Sequence, residues 1–162
     1  MTNGATNVIK RADVTVEYPV TADTKVNAGR WVVITSGYAI ENNAKEGITV
    51  VGIAMTTVDN SDGAAGAKYV AVMKVGIATL ECLVQDTNAS SGFDAAITSG
   101  MPLFIGGDGT DDGQYVVSGA GTDTSSIVGV KCVGEAIGAE AGSTSADTVG
   151  SIDVYVNMHG GV

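Results

Sequence analysis

Short runs of β-branched and aliphatic residues, each interrupted by glycine or small polar residues, constrain the fold of this chain more than any other feature. The 162 residues include 23 glycines and two prolines, and the apolar runs are built from Val, Ile and Ala rather than Leu. Such runs suit pleated strands, and the glycine-rich segments between them suit tight turns. The sequence therefore predicts an all-β fold, a small β-barrel or β-sandwich with long glycine-rich loops.

The first predicted strand shows the alternation of a half-buried strand. Val14, Val16 and Tyr18 alternate with polar Thr15 and Glu17, which is the period-2 pattern of a strand with one buried face. At most one short helix is expected, near residues 91–99, between a serine start and a glycine stop. Further strands are predicted at residues 31–34, 48–55, 69–75, 77–80, 103–105, 114–117, 127–130 and 152–156.

The chain length predicts a single β domain, covering residues 13–162, preceded by an extended N-terminal arm at residues 1–12. Within the domain, three blocks recur in the same order, which indicates an internal duplication. The paired blocks are 29–34 with 100–105, 50–53 with 127–130, and 70–76 with 154–160, at offsets of 71, 77 and 84 residues.

Charge is distributed unevenly along the sequence. Residues 1–74 contain seven basic and seven acidic residues, whereas residues 75–162 contain eleven acidic residues and Lys131, so the second half carries the net charge of −10. An acidic surface repels phosphate backbones, so no nucleic-acid partner is expected. The polar start and the absence of an apolar run of about 18 residues predict synthesis in the cytoplasm and no membrane partner.

The residues that usually carry catalysis or bind metals are few and scattered. His159 is the single histidine, and Cys82 and Cys132 are far from it and from each other in sequence. A nucleophile–base pair or a zinc site needs such residues to converge. We therefore expect no enzymatic activity.

Two acidic loops resemble parts of calcium-binding motifs. Residues 106–111 match the first six positions of a glycine–aspartate nonapeptide repeat, but the match occurs once, and that repeat binds calcium between stacked copies. Residues 59–63 lack the following glutamate of a helix–loop–helix site. Both loops are interpreted as surface turns, and no metal or cofactor is expected.

With no catalytic motif, the order of the strand-like blocks becomes the main signal. The blocks are Val14-Thr-Val-Glu, Val26-Asn-Ala-Gly-Arg-Trp-Val-Val, Val50-Val-Gly-Ile-Ala-Met, Ala64-Ala-Gly-Ala-Lys-Tyr-Val-Ala-Val, Val75-Gly-Ile-Ala-Thr-Leu, Ile97-Thr-Ser-Gly-Met-Pro-Leu-Phe-Ile, Gln114-Tyr-Val-Val and Ile127-Val-Gly-Val. This layout resembles the capsid decoration (cement) proteins of tailed bacteriophages over most of residues 13–158. The chain departs from it in longer acidic loops at 106–113 and 139–150.

The resemblance implies a structural protein that binds the outer surface of an expanded phage head and stabilises it. It implies homotrimers at threefold positions, the major capsid protein as partner, and a place on the outside of the virion after synthesis in the host cytoplasm. The N-terminal arm would reach across the shell, with Val8, Ile9, Lys10 and Arg11 as its contact residues. We further expect the neutral first half to face the shell and the acidic half to face solvent.

Three alternatives remain open at this point. One is a β module associated with a phage tail or fibre. Another is a carbohydrate-binding β-sandwich, which needs exposed aromatic side chains, although aromatic residues make up 5% of the chain and Trp31 lies in an apolar run. The last is a hydrolase that uses loop carboxylates.

Overall fold

The structure is a computed structural model that describes residues 7–43, 50–84, 96–106, 114–118, 132–140 and 148–158. These residues form eleven β-strands and no helix, which confirms the all-β prediction. The strands are β1 (Val8–Pro19), β2 (Thr24–Val26), β3 (Trp31–Thr35), β4 (Tyr38–Glu41), β5 (Val50–Ala54), β6 (Val58–Asn60), β7 (Tyr69–Val84), β8 (Pro102–Gly106), β9 (Tyr115–Ser118), β10 (Cys132–Ala136) and β11 (Thr148–Asn157).

Strand β7 and the four strands that follow it close into a barrel, one of the two architectures that the sequence predicted. Strands β7, β11, β10, β8 and β9 are joined in that order by antiparallel pairs. Cys82 in β7 then pairs with Val116 in β9 in the parallel direction and completes the circle.

The first half repeats the same arrangement with β1, β7, β5, β3 and β4. Here an isolated parallel bridge joins Val20, directly after β1, to Ala39 in β4. Strands β2 and β6 form a two-stranded ribbon beside this barrel. The 16-residue strand β7 belongs to both barrels, because its first part pairs with β5 and its second part with β11.

The registers of the two barrels correspond residue by residue. Residues of β3 have their counterparts in β8, those of β4 in β9, those of β5 in β10, those of β7 in β11 and those of β1 in the second part of β7. Corresponding pairs are Thr35–Tyr38 and Gly106–Tyr115, Val33–Ile40 and Phe104–Val117, Val33–Val50 and Phe104–Cys132, Ile53–Met73 and Glu135–Tyr155, and Val16–Val72 and Ala78–Val154.

Hydrogen bonds outside the strand ladders repeat as well. The amide of Gly29 donates to the carbonyl of Ala54 at 2.8 Å, and the amide of Gly100 donates to the carbonyl of Ala136 at 2.8 Å. In both barrels the same alanine donates back at 2.9 Å, to Arg30 in the first and to Met101 in the second. Matching registers and matching turn bonds together show an internal structural repeat.

The predicted repeat was right in its first block and misaligned in the other two. Gly29–Ile34 does correspond to Gly100–Ile105. The counterpart of Val50–Ile53 is Cys132–Glu135, whereas residues 127–130 lie outside the described part of the chain. The third block was displaced by two residues, because Val70 corresponds to Ile152 rather than Val154. A shift of two keeps every side chain on the same face, so alternation alone does not reveal it.

Each barrel is filled by a corresponding set of buried side chains. The first core and the second core contain the pairs Val20 and Cys82, Val26 and Ile97, Val32 and Leu103, Ala39 and Val116, Ala54 and Ala136, Val70 and Ile152, and Val72 and Val154. The other faces of β3, β5 and β7 carry Trp31, Val33, Ile53 and Met73, which belong to the second core. The outer face of the first barrel therefore packs against the second barrel.

Several strands extend or fall outside the predicted ranges. Strand β1 begins at Val8, so the expected boundary between arm and domain at residue 12 falls inside a strand. Strand β7 runs without a break through two predicted strands. The short strands β2, β4 and β6 and the strand β10 were not predicted. Most of the predicted helical segment at 91–99 lies outside the described residues, and its described part, 96–99, is not helical.

Candidate functional site

The four predicted contact residues lie in the first half of β1. Val8, Ile9 and Arg11 pair with consecutive residues of β7, and Lys10 is the extra residue of a β-bulge between Ile9 and Arg11. Ile9 is half-buried and packs against the second core, whereas the Val8 side chain is 53% exposed. The segment is extended, and the structure places it in the sheet of its own chain.

The two basic residues of this segment are paired with acidic residues of the same chain. The Lys10 ammonium lies 2.7 Å from both carboxylate oxygens of Asp153 in β11, and the Thr79 hydroxyl donates to the same carboxylate at 2.7 Å. These hydrogen bonds, Lys10 first, hold the pKa of Asp153 below its ordinary value. Arg11 pairs with Asp13 at 2.9 Å. Among the four, Val8 is thus the side chain that presents an uncharged, largely exposed surface.

A shallow groove of about 290 Å³ lies on the outer face of the second barrel. It corresponds to the face of the first barrel that the second barrel covers, where Trp31, Ile53 and Met73 are fully buried. The second barrel has Pro102, Glu135 and Tyr155 at these three positions. Proline removes a backbone donor and glutamate adds a charge. This face is therefore unsuited to pack against another barrel in the way that the corresponding face of the first barrel does. The groove is lined by Gly100, Pro102, Cys132, Gly134, Glu135, Tyr155 and Asn157.

The contact between the barrels includes a buried polar side chain, that of Gln114, which sequence reasoning missed. Gln114 directly precedes β9 and is 2% exposed. Its carbonyl accepts from the Trp31 amide at 2.9 Å, and its amide group donates to the carbonyls of Trp31 and Asn42. A single glutamine at the head of an apolar run was the available signal. The Gln114 side chain thus provides hydrogen-bond partners for backbone groups of Trp31 and Asn42 at the edge of β3, which is buried between the barrels.

The acidic turn at 59–63 is closed by its own hydrogen bonds. The Asp59 carboxylate accepts from the backbone amide and hydroxyl of Ser61, and these bonds lower the pKa of Asp59. The Asn60 side chain donates to the carbonyls of Thr21 and Ala64 at 2.8 and 3.0 Å. Lys68 lies beside the turn and lines the same shallow pocket as residues 59–63. These contacts are those of a surface turn.

The remaining candidate residues that the structure describes form no common site. Cys82 is buried in the second core, where burial raises its pKa to about 11, and Cys132 is exposed. Over the described ranges, no group of three or more His, Cys, Asp or Glu side chains is placed to hold a metal ion. His159 and loop residues 107–113 lie outside those ranges. Trp31 is fully buried, so it offers no surface for stacking on a sugar.

Comparisons with known proteins give no family assignment. No protein-family model matches the chain, and no curated protein sequence matches it. Among the described residues there is no helix long and apolar enough to cross a membrane.

Proposed function

We propose that this chain is a capsid decoration protein that binds the outer surface of an expanded tailed-phage head, with the major capsid protein as its partner. The observation that carries the proposal is a tandem barrel that leaves large apolar side chains exposed on its strands. Val8 and Tyr69 are 53% and 57% exposed. Apolar side chains exposed on a firm β framework suit binding to a large protein surface.

The shared strand makes the two barrels suitable for clamping. Because β7 runs through both barrels and the larger core joins them, little conformational entropy should be lost when the protein binds. A protein that binds only the assembled, expanded lattice stabilises that lattice by mass action. Homotrimers at threefold positions would add avidity, because three contacts engage together.

The charge distribution suggests an orientation on the shell. The first barrel is built from the part of the sequence with balanced charge, and the second from the part that holds eleven of the acidic residues. In this orientation the first barrel faces the shell and the acidic second barrel faces solvent, on the outside of the virion. Val8 and its neighbours in β1 lie where the two barrels meet, because β1 pairs with both parts of β7.

The proposal is tested by mixing the purified protein with expanded, undecorated heads and imaging them by electron microscopy. Added density at threefold positions is the expected result. Density that is absent at saturating protein concentration would contradict the proposed function.

A point substitution tests the contact residue better than deletion of residues 1–12, which would also remove Val8–Ala12 from the edge of β7. Val8→Asp should reduce head occupancy, whereas Val149→Asp, a similarly exposed valine of β11, should not. Equal occupancy by both variants would remove Val8 from the contact.

A further inference from the structure

Among the residues that the structure describes, one edge of β1 lacks the strand that the repeat places at the corresponding edge of the second barrel. Residues Thr15–Tyr18 of β1 correspond to Ile77–Leu80 of β7. Over Ile77–Thr79, β7 has a strand on each side, β11 on one and the first half of β1 on the other. In the described part of the chain, Thr15–Tyr18 pairs with β7 alone.

The missing strand has a measurable effect on the side chains. Ala78 lies opposite Ile9 of the added strand and is fully buried. Its counterpart Val16 is 37% exposed, although both residues occupy the inward position of their strand. The covered edge at Ala78 therefore indicates what would fit the open edge at Val16. It would be an antiparallel extended strand that places an aliphatic side chain opposite Val16, as Ile9 lies opposite Ala78.

We propose that the open edge binds the same edge of a second copy of this chain, in a twofold antiparallel contact centred on Val16. In this register Val16 faces its own copy, Val14 faces Tyr18, and Thr15 faces Glu17. The apolar residues then share one face of the joined sheet, and no two like charges lie directly opposite each other. A contact of this kind continues the sheet of the first barrel across the twofold axis.

The local geometry of β1 fixes the extent of this contact. From Thr15 to Pro19, β1 pairs with Met73 to Tyr69 residue by residue, without a bulge. Register shifts occur at Lys10 and on both sides of Val14, and bulges twist an edge away from a flat partner. The pairing is therefore centred on the regular stretch. Because the contact is twofold, it is independent of the proposed function, and it can also join neighbouring threefold assemblies.

Disulfide trapping tests the proposal directly, because a residue on a twofold axis faces its own copy. Directly opposed residues of antiparallel strands have Cβ atoms about 4.5–5.5 Å apart, close to the range that a disulfide spans. The Val16→Cys variant is made in a Cys132→Ser background, which removes the exposed native thiol, and is oxidised with air and copper–phenanthroline. We expect a disulfide-linked dimer to form at least tenfold faster than with Val149→Cys in the same background.

Two further measurements fix the register and the mass. Thr15→Cys should cross-link to Glu17→Cys when the two variants are mixed, and neither should cross-link efficiently alone. In sedimentation velocity, the wild-type particle should have twice the mass of the Val16→Lys particle, with unchanged circular dichroism; Val16→Thr should retain the wild-type mass. Equal masses for wild type and Val16→Lys, or equal cross-linking rates for Val16→Cys and Val149→Cys, would overturn the proposal.

Discussion

Replacing Gln114 by leucine should show how much the hydrogen bonds of this side chain contribute to stability, separately from its packing between the barrels. Leucine has a similar volume and keeps the apolar contacts, but it removes the acceptor that lies 2.9 Å from the Trp31 amide. Trp31 is fully buried, so water does not reach this amide in the folded state. A buried donor left without its partner costs about 1–3 kcal/mol.

The magnitude is expected near the upper end of that range, because the Gln114 side chain also donates to the carbonyls of Trp31 and Asn42. Trp31 keeps a second bond to its carbonyl from the amide of Asn42 at 2.7 Å, so the amide is the group most affected. For a chain of this size, a loss of about 3 kcal/mol lowers the melting temperature by roughly 6–12 °C.

Trp31 itself reports the outcome, since it is the only tryptophan of the chain and lies beside the substitution. Urea unfolding followed by its fluorescence, with far-UV circular dichroism as the second probe, gives the free energy of unfolding. Asn43→Leu, at an exposed position nearby, serves as the control and should shift the free energy by less than about 0.5 kcal/mol. If Gln114→Leu were as stable as this control, the argument that Gln114 satisfies a buried amide would be refuted.

Three other perturbations test the repeat, the thiols and the ion pair. A Cβ at Gly52 or Gly134 would lie 2.2 or 2.3 Å from a carbonyl oxygen of the next strand. Alanine at either position should therefore lower the free energy of unfolding by at least about 1–3 kcal/mol, whereas Gly138→Ala, where a Cβ meets ordinary contacts, serves as the control. Unchanged stability of Gly52→Ala or Gly134→Ala would contradict the close approach. At pH 8, Ellman's reagent should modify Cys132 rapidly and Cys82 only on unfolding, because burial raises the Cys82 pKa to about 11; two equally fast thiols in the native protein would argue against the buried position. Hydrogen bonds from Lys10 and Thr79 lower the pKa of Asp153 below 3.8 in the folded chain; its carboxylate therefore stabilises the fold at pH values above the unfolded-state pKa, and this contribution is lost as the pH falls through the folded-state pKa. Asp153→Asn should weaken the dependence of stability on acid pH, measured by urea unfolding from pH 2.5 to 7, and identical pH dependence in both proteins would refute the lowered pKa of Asp153.

The sequence predicted the strand content and the barrel well because these depend on local alternation and turn chemistry. Residues 31–34 and 103–105 are each an apolar run next to a glycine turn, and both form strands. Their likeness also revealed the first repeated block. Short strands such as β2 and β6 were missed because three residues carry too little periodicity to stand out from a loop.

The candidate site was harder to predict because it depends on partners distant in sequence. Lys10 pairs with Asp153 across 143 positions, and Gln114 with Trp31 across 83. Nothing in the local sequence distinguishes a basic residue with such a partner from one that is free to contact another protein. The open edge at Val16 is likewise visible only by comparison with Ala78, whose equivalence follows from strand registers.

The continuity of β7 determines how the molecule responds to force and to denaturant. No flexible linker separates the two barrels at this strand, so neither can rotate about a hinge there while it stays folded. Unfolding of one barrel would disorder β7, which is also a strand of the other barrel. Both barrels should therefore unfold together in one cooperative transition. Tension applied along β7 would load its hydrogen bonds to β1 and β11 in shear, so that many bonds resist together. Load applied along β7 would therefore be shared by both barrels.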